Sequence, residues 1–333
     1  MLALRYYGPQ DIRAEEIPIP NPAPNQALIK VLYAGICGSD LHIYRQGMFM
    51  TYAPETLGHE FVGKIEKAPE GSIFKKGDLV TGHPGIYCGK CLSCQNGDLL
   101  HCLGISFIGE CQPGCFAQYI TLNTDILIKF VNNIDLVQAG IAEPVTVAYH
   151  AAKRINAKNI DHIAIFGGGP IGLLIAYILK NIYAAKWVTL IDIDPYRREQ
   201  AKKCGADEIL ADYTQSKYKL FDKVIDCAGA EIVLNMAIEA VKPDGILFIT
   251  ALYEKLPVVD VNLLVNKEIN IVGNNAYTFS DMQEAIALIN SGKYDFTWLV
   301  TSIVPGNEGP LAFKSLAGIP KKDLKILLDF SIL

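Results

Sequence analysis

The sequence lacks any long run of like charges. Thirty Lys and Arg stand against 35 Asp and Glu over 333 residues, leaving a net charge of -5 at pH 7. A basic footprint for nucleic acid is therefore not expected. Internal repeats and low-complexity segments are also missing, which excludes repeat architectures and disordered tracts. The opening residues, Met1-Leu2-Ala3-Leu4-Arg5-Tyr6-Tyr7, hold no apolar core of a secretory leader. Residues 163–179 are uncharged and about as long as the shortest membrane spans. But Gly167, Gly168, Gly169, Pro170 and Gly172 interrupt them, so a strand, a turn and a helix are expected there, and no membrane span. The nine cysteines are not spread along the chain as in a secreted disulfide framework; four crowd into one short stretch. That pattern points to a reducing compartment, the cytoplasm.

What is present fits a folded enzyme. Half the residues are hydrophobic and a fifth are charged, and the length predicts two domains. The first third is rich in Pro and Gly, with short alternating runs at 27–32, 61–65 and 79–81. This predicts a barrel-like β domain carrying insertions. After about Ile141 strands alternate with helices: strands at 163–166, 188–191, 223–226 and 246–249, and helices at 171–181, 197–204 and 232–240. Such alternation specifies a parallel, doubly wound α/β sheet with right-handed crossovers. A further helix is expected at 281–290.

Gly167-Gly168-Gly169-Pro170-Ile171-Gly172 matches G-x-G-x-x-G directly after an apolar strand and at the start of a helix. Gly167 would permit the turn, Gly169 the approach of backbone N–H groups to a pyrophosphate, and Gly172 close packing of helix on strand. Pro170 and Ile171 open the helix whose N-terminus would hold the anion. Asp192, about twenty residues on, is placed to accept from adenosine ribose hydroxyls, which favours NAD over NADP. Arg197 and Arg198 lie nearby and could instead accommodate a phosphate.

Cys88-x-x-Cys91-x-x-Cys94, with Cys102 beyond, has the spacing of a tetrahedral zinc site. Four protein ligands leave no open position, so this zinc would be structural, pinning a loop with little core of its own. His101 could replace one thiol. Cys111 and Cys115 read as ordinary buried thiols. Cys37, His59 and Glu60 supply one thiol, one imidazole and one acid, the set that an open catalytic zinc site needs. Spacing alone leaves open that Cys37 and His59 are packing residues.

Gly35-Ile36-Cys37-Gly38-Ser39-Asp40, Gly58-His59-Glu60, the four-cysteine loop, Ala142-Glu143-Pro144 and the 167–172 turn with Asp192 occur in one order. In these motifs the chain, from about residue 4 to its end, resembles the medium-chain, zinc-dependent alcohol dehydrogenase family, in its sorbitol-like polyol branch. The resemblance implies a GroES-like β-barrel catalytic domain at 1–140, completed by 280–333, and a Rossmann NAD-binding domain at 141–279. It implies two zincs per chain. Cys37 and His59 would hold the catalytic one, with Glu60 in the third position directly or through water. Glu143 matches the acid that stands where parent alcohol dehydrogenases place a cysteine ligand. Asp40 would orient His59, or else merely cap a turn. Ser39 and His42 match the family's proton-relay positions, although His42 could equally be a satisfied surface or core histidine. Tyr44, Arg45 and Glu143 are candidates by position for substrate hydroxyls; Arg45 could also take a phosphate, or be solvated.

Two residues depart from the family's Gly-Gly-Phe-Ala-Glu-Tyr: Cys115 replaces a glycine and Gln118 an acid. The activity implied is oxidation of a secondary alcohol of a polyol or sugar-derived substrate to a ketone. Sugar-alcohol phosphate and threonine-type dehydrogenases are the alternatives of the same fold. A zinc-ribbon nucleic-acid binder conflicts with the charge balance, and a non-enzymatic NAD(H) sensor with the intact Cys37, His59 and Glu60. A small-molecule substrate and a homodimer or homotetramer are the implied partners.

Overall fold

The computed structural model describes residues 1–50, 52–318 and 323–332. The chain divides into two compact units, Met1–Thr146 with Tyr277–Leu333, and Val147–Ala276. The divisions fall slightly after the expected 140/141 and slightly before the expected 279/280.

In the first unit the strand Gln26–Gly35 is the centre of a seven-stranded sheet. Ala27, Ile29 and Val31 are buried while Leu28 and Lys30 are half-exposed, the period-two pattern of a strand with one covered face. The register against Glu60–Lys67 then shifts between Val31 and Tyr33. Beyond that irregularity the buried phase passes to Leu32 and Ala34, as an extra residue in one strand requires. Glu60–Lys67, Tyr119–Asn123 and Lys325–Asp329 all pair antiparallel with this strand. Leu79–Gly82 and Leu127–Lys129 extend the sheet on one side and Val300–Pro305 on the other. A smaller sheet joins Asp11–Glu16, Leu2–Gly8 and Glu55–Thr56. Leu4, Ile29, Phe61, Phe116, Phe313 and Phe330 share the core between them. The C-terminal segment thus supplies a central strand of the N-terminal unit.

The second unit is a six-stranded parallel sheet. Its spatial order is Glu208–Leu210, Trp187–Ile191, His162–Phe166, Phe221–Asp226, Val241–Ile249, Asn270–Gly273. Ranked by sequence this is 3-2-1-4-5-6, the doubly wound order whose switch point lies between the first and fourth strands. The helix expected at 197–204 runs instead over Pro195–Ala201. Asp194 caps it by accepting from the N–H groups of Tyr196 and Arg197.

Candidate active site and metal centres

Cys37 and His59 reach each other because their strands pair. Gly35 stands opposite Glu60 in the antiparallel register of Gln26–Gly35 and Glu60–Lys67. A Cβ on Gly35 would lie 2.2 Å from Glu60 Oε2, so only glycine leaves room for the carboxylate. Cys37 is the N-cap of the helix Gly38–Gln46. One sulfur, one imidazole nitrogen and one carboxylate oxygen of Cys37, His59 and Glu60 lie within 4.8 Å of one another.

Asp40 lies against both Cys37 and His59. Its Oδ2 accepts from the Cys37 N–H at 2.9 Å, and its Oδ1 lies 3.9 Å from His59 Nδ1. Burial pushes the Asp40 carboxyl up, while His59 and the Cys37 N–H oppose that shift. His59 shows the converse balance. Burial disfavours its charge, but the Cys37 thiol, Asp40 and Glu143 together hold it well above the ordinary imidazole range. An anionic pocket of this kind suits a cation.

Glu60 is fully buried, and its Oε1 has no hydrogen-bond partner among the described residues. The Lys325 ammonium forms an ion pair with its other oxygen and donates to the Ile36 carbonyl at 2.9 Å. A buried carboxylate oxygen left without a donor fits a metal ligand, and the thiol and imidazole beside it are zinc donors. The donor set therefore fits a catalytic zinc.

Glu143 lies in the first turn of the helix Ala142–Ile155 and is buried. Burial, then the charge of Glu60, push its carboxyl up to about 7. Among the described residues it stands outside the tight three-ligand group. The Tyr277 hydroxyl lies close enough to support its charge, yet meets no hydrogen-bond geometry. Ser39, His42 and Arg45 are half-buried on the helix Gly38–Gln46. The ring of Tyr44 is buried in the core, 5.5 Å from that of Phe313.

The thiols of Cys88, Cys91, Cys94 and Cys102 also lie within 4.8 Å of one another, and all are free. Cys91 Sγ is 3.5 Å and Cys88 Sγ 4.0 Å from Cys94 Sγ. Four thiolates about 2.3 Å from a tetrahedral zinc would stand about 3.8 Å apart. The N–H groups of Lys90 and Cys91 pull Cys88 down to about 6. The short helix Leu92–Gln95 within this loop buries no residue, so the loop has no core to hold it otherwise. His101 pairs with Asp98 at 2.8 Å and does not join the thiols. Cys115 is buried as expected, its thiol donating to the Glu60 carbonyl, whereas Cys111 is exposed. Gln118, in the place of the family's acid, accepts from the Leu2 N–H at 2.8 Å.

In the second unit Gly167 has φ +106° and its missing Cβ lets the Cys227–Ala228 backbone approach. A Cβ on Gly172 would lie 2.0 Å from the Gly167 carbonyl oxygen, whereas one on Gly169 would meet nothing within 4 Å. Gly169 caps the helix Pro170–Asn181, which Pro170 and Ile171 begin. Asp192 accepts from the Gly168 N–H at 2.7 Å and the Asp194 N–H at 2.8 Å. Arg197 is paired with Asp192 at 3.3 Å, and Arg198 donates to the Asp192 and Ile193 carbonyls.

Sequence reasoning missed Lys325, Tyr277 and Glu110. Lys325 carried a signal: a lone charge in the apolar run Leu324-Lys325-Ile326-Leu327-Leu328. Glu110 is half-buried, raised by burial, and close enough to feel the charges of His59 and Asp40.

Known proteins resemble this chain throughout. Residues 23–132 match the alcohol dehydrogenase GroES-like domain and residues 170–291 the zinc-binding dehydrogenase domain. A sorbitol dehydrogenase of Halalkalibacterium halodurans is 31% identical, over 97% of this chain and 96% of its own length. The crystal structure of 2R,3R-butanediol dehydrogenase from Bacillus subtilis superposes with a TM-score of 0.87 at 28% identity, covering 98% of this chain and 99% of that one. A short chain alcohol dehydrogenase from E. coli CFT073, complexed with NADH, gives a TM-score of 0.90 at 26% identity, with 99% of each chain covered.

Proposed function

The chain belongs to the zinc-binding, GroES-like alcohol dehydrogenase family and is an oxidoreductase, and from that premise we propose that it oxidises a secondary alcohol of a neutral polyol or sugar-derived substrate to the ketone, with NAD+ as acceptor. The observation that carries this reading is the close group of half-buried Cys37 with buried His59 and Glu60, and Glu143 beside it. A bound zinc would supply Lewis acidity to the substrate hydroxyl, and a bound nicotinamide would take up the hydride.

The chain's own residues do the rest. Cys37, His59 and Glu60 hold the metal, with Glu143 in reserve as ligand or substrate acceptor. Asp40 fixes the imidazole of His59 and the backbone of Cys37. Ser39 and His42, half-buried on the helix Gly38–Gln46, carry the released proton outward. Gly167, Gly169, Pro170, Ile171 and Gly172 cradle the pyrophosphate, and Asp192 takes the adenosine ribose. Cys88, Cys91, Cys94 and Cys102 hold the structural zinc. Arg45 remains a candidate for outer substrate hydroxyls. A phosphorylated substrate is the less favoured reading. Asp40, Glu60, Glu143 and Glu110 crowd the site with carboxyls, which disfavours an anion.

Among the described residues no helix is long and apolar enough to cross a membrane. Four clustered thiolates favour a reducing compartment, hence the cytoplasm. Asn270–Gly273 is an edge strand of the parallel sheet, with Ile271, Val265, Val258 and Leu256 exposed near it in sequence. An open edge with apolar neighbours suits pairing with a second copy, so the working assembly is a homo-oligomer.

The experiment is zinc content per chain for the wild type and Cys37→Ala, with NADH formation from polyols measured in parallel. Two zincs falling to one, with oxidation abolished, supports the reading. One zinc in both proteins, or unchanged activity, removes the Cys37 site from the mechanism.

A further inference from the structure

We propose that His83 is a positioning residue that links the four-cysteine loop to the substrate side of the Cys37 site by fixing Tyr277. This inference rests on the functional reading above. His83 lies between the strands Leu79–Gly82 and Gly85–Ile86 and is 3% exposed. Its Nδ1 is 3.1 Å from the Gly85 N–H, which can only donate. The Nδ1 must then accept, and the proton sits on Nε2. That nitrogen is 3.3 Å from the Tyr277 carbonyl oxygen, which can only accept. The two backbone partners thus select one neutral tautomer, and burial favours it by pushing the imidazole pKa down. The ring also stands edge-on to the Tyr277 ring, with centroids 5.1 Å apart at 75°.

Each end of this contact leads to a site. Tyr277 is 2% exposed, and among the described residues its hydroxyl meets no full hydrogen-bond geometry although it lies near Glu143. The place of a buried hydroxyl so near a carboxyl depends on the backbone that carries it. On the other side the Tyr87 hydroxyl lies 3.4 Å from His83 Nδ1, and Tyr87 directly precedes Cys88. Gly85–Ile86, just before Cys88, pairs antiparallel with Ser106–Phe107, just beyond Cys102, so the segment that His83 enters holds both ends of the thiol loop. The thiol loop, Tyr87, His83 and Tyr277 are thus joined through the chain and through the contacts of one imidazole, and the Tyr277 hydroxyl lies near Glu143. Ordering the thiol loop fixes His83, and His83 fixes the tyrosine beside Glu143.

The test uses the zinc-loaded enzyme with His83→Leu, His83→Gln, Tyr87→Phe and Cys94→Ser. Losing a buried backbone hydrogen bond in H83L is expected to raise KM for the polyol about tenfold while kcat moves less than about threefold and KM for NAD+ stays put. The glutamine amide can accept from Gly85 and donate to Tyr277, so H83Q recovers most of the loss. C94S raises the polyol KM in the wild-type background but adds nothing in H83L, because the link is already cut. Amide hydrogen exchange of residues 277–279, which needs no substrate, is expected to speed up in H83L and in C94S. Unchanged KM and exchange in folded H83L, no rescue by glutamine, or independent effects of C94S and H83L overturn the inference. If H83L does not fold, Y87F carries the test: faster exchange at 277–279 supports it and unchanged exchange overturns it. A wild-type chain that oxidises no polyol sinks the functional reading alone, and the exchange data still decide this one.

Discussion

Lys325 and Glu60 form an ion pair from which water is excluded, the lysine 2% and the glutamate 0% exposed. The two residues come from opposite ends of the sequence, on strands that flank Gln26–Gly35. Burial alone would lower the Lys325 pKa, but Glu60 and Cys37 hold it above the usual range. Removing one partner leaves the other as an uncompensated buried charge. Lys325→Met is therefore expected to destabilise the protein by about 3–5 kcal/mol. A bound cation would partly replace the lost ammonium, so the loss should be larger after chelator treatment than with metal present. Urea unfolding of both forms measures this. A K325M protein as stable as wild type in each form would show that the pair contributes nothing.

The glycine turn makes a sharper contrast. Gly172→Ala places a Cβ 2.0 Å from the Gly167 carbonyl oxygen, a backbone atom that cannot swing aside. The helix must move off the strand, and the expected cost is at least about 1–3 kcal/mol. Gly169 has φ -75° and nothing within 4 Å of the added methyl. Gly169→Ala should leave the thermal midpoint unchanged but weaken NAD+ binding about tenfold, because the methyl occupies space the pyrophosphate would need. Thermal melts with and without NAD+ separate the two effects. A G169A variant that binds as wild type does would remove the pyrophosphate from that place.

Candidate ligands close together in sequence were legible there. Cys88 to Cys102, His59 with Glu60, and the strand–glycine–helix turn each form within one local segment. Contacts across the chain were not. Lys325 reaches the Ile36 carbonyl over 289 residues, and His83 reaches that of Tyr277 over 194. No periodicity encodes such a pairing, because it depends on strand order. The burial of Tyr44 had a simpler signal. Asp40, Ile43 and Tyr44 are the buried positions of the helix Gly38–Gln46. Their i, i+3, i+4 spacing already put Tyr44 on the inward face.

The acid limb of stability should depend on Asp78. Lys129 donates to its Oδ1 at 2.5 Å and the Lys75 N–H to its Oδ2 at 2.9 Å. Lys129 foremost holds its carboxyl below the ordinary range, against the opposing effect of burial and with help from that N–H. A carboxyl depressed in the folded state stabilises it above the unfolded pKa, about 3.9. That stabilisation is lost as pH falls through the folded value. Asp78→Asn removes the titration, so its unfolding free energy should fall less steeply than that of wild type between about pH 5 and pH 2. Parallel curves for the two proteins would mean that the Lys129 contact is no stronger in the folded chain than in solution.

Cofactor choice should turn on Asp192. Its two oxygens accept from the N–H groups of Gly168 and Asp194, so the carboxylate is fixed at the end of the strand Trp187–Ile191. Arg197 is already paired with it. A 2′-phosphate brought to this position would meet a fixed, largely buried negative charge, whereas a ribose hydroxyl would meet an acceptor. Asp192→Asn keeps the shape and removes the charge. The amide oxygen still accepts one backbone N–H, but repulsion of the phosphate is gone and Arg197 is released. Binding of NAD+ is expected to weaken about tenfold, the loss of one charge-assisted contact. Binding of NADP+ should strengthen, so the ratio of the two dissociation constants moves by more than either alone. Titrations of both cofactors against wild type and D192N, at one ionic strength, give that ratio. A wild type that binds both equally, or a ratio unmoved by D192N, would take Asp192 out of cofactor selection and leave it only the task of holding the glycine turn.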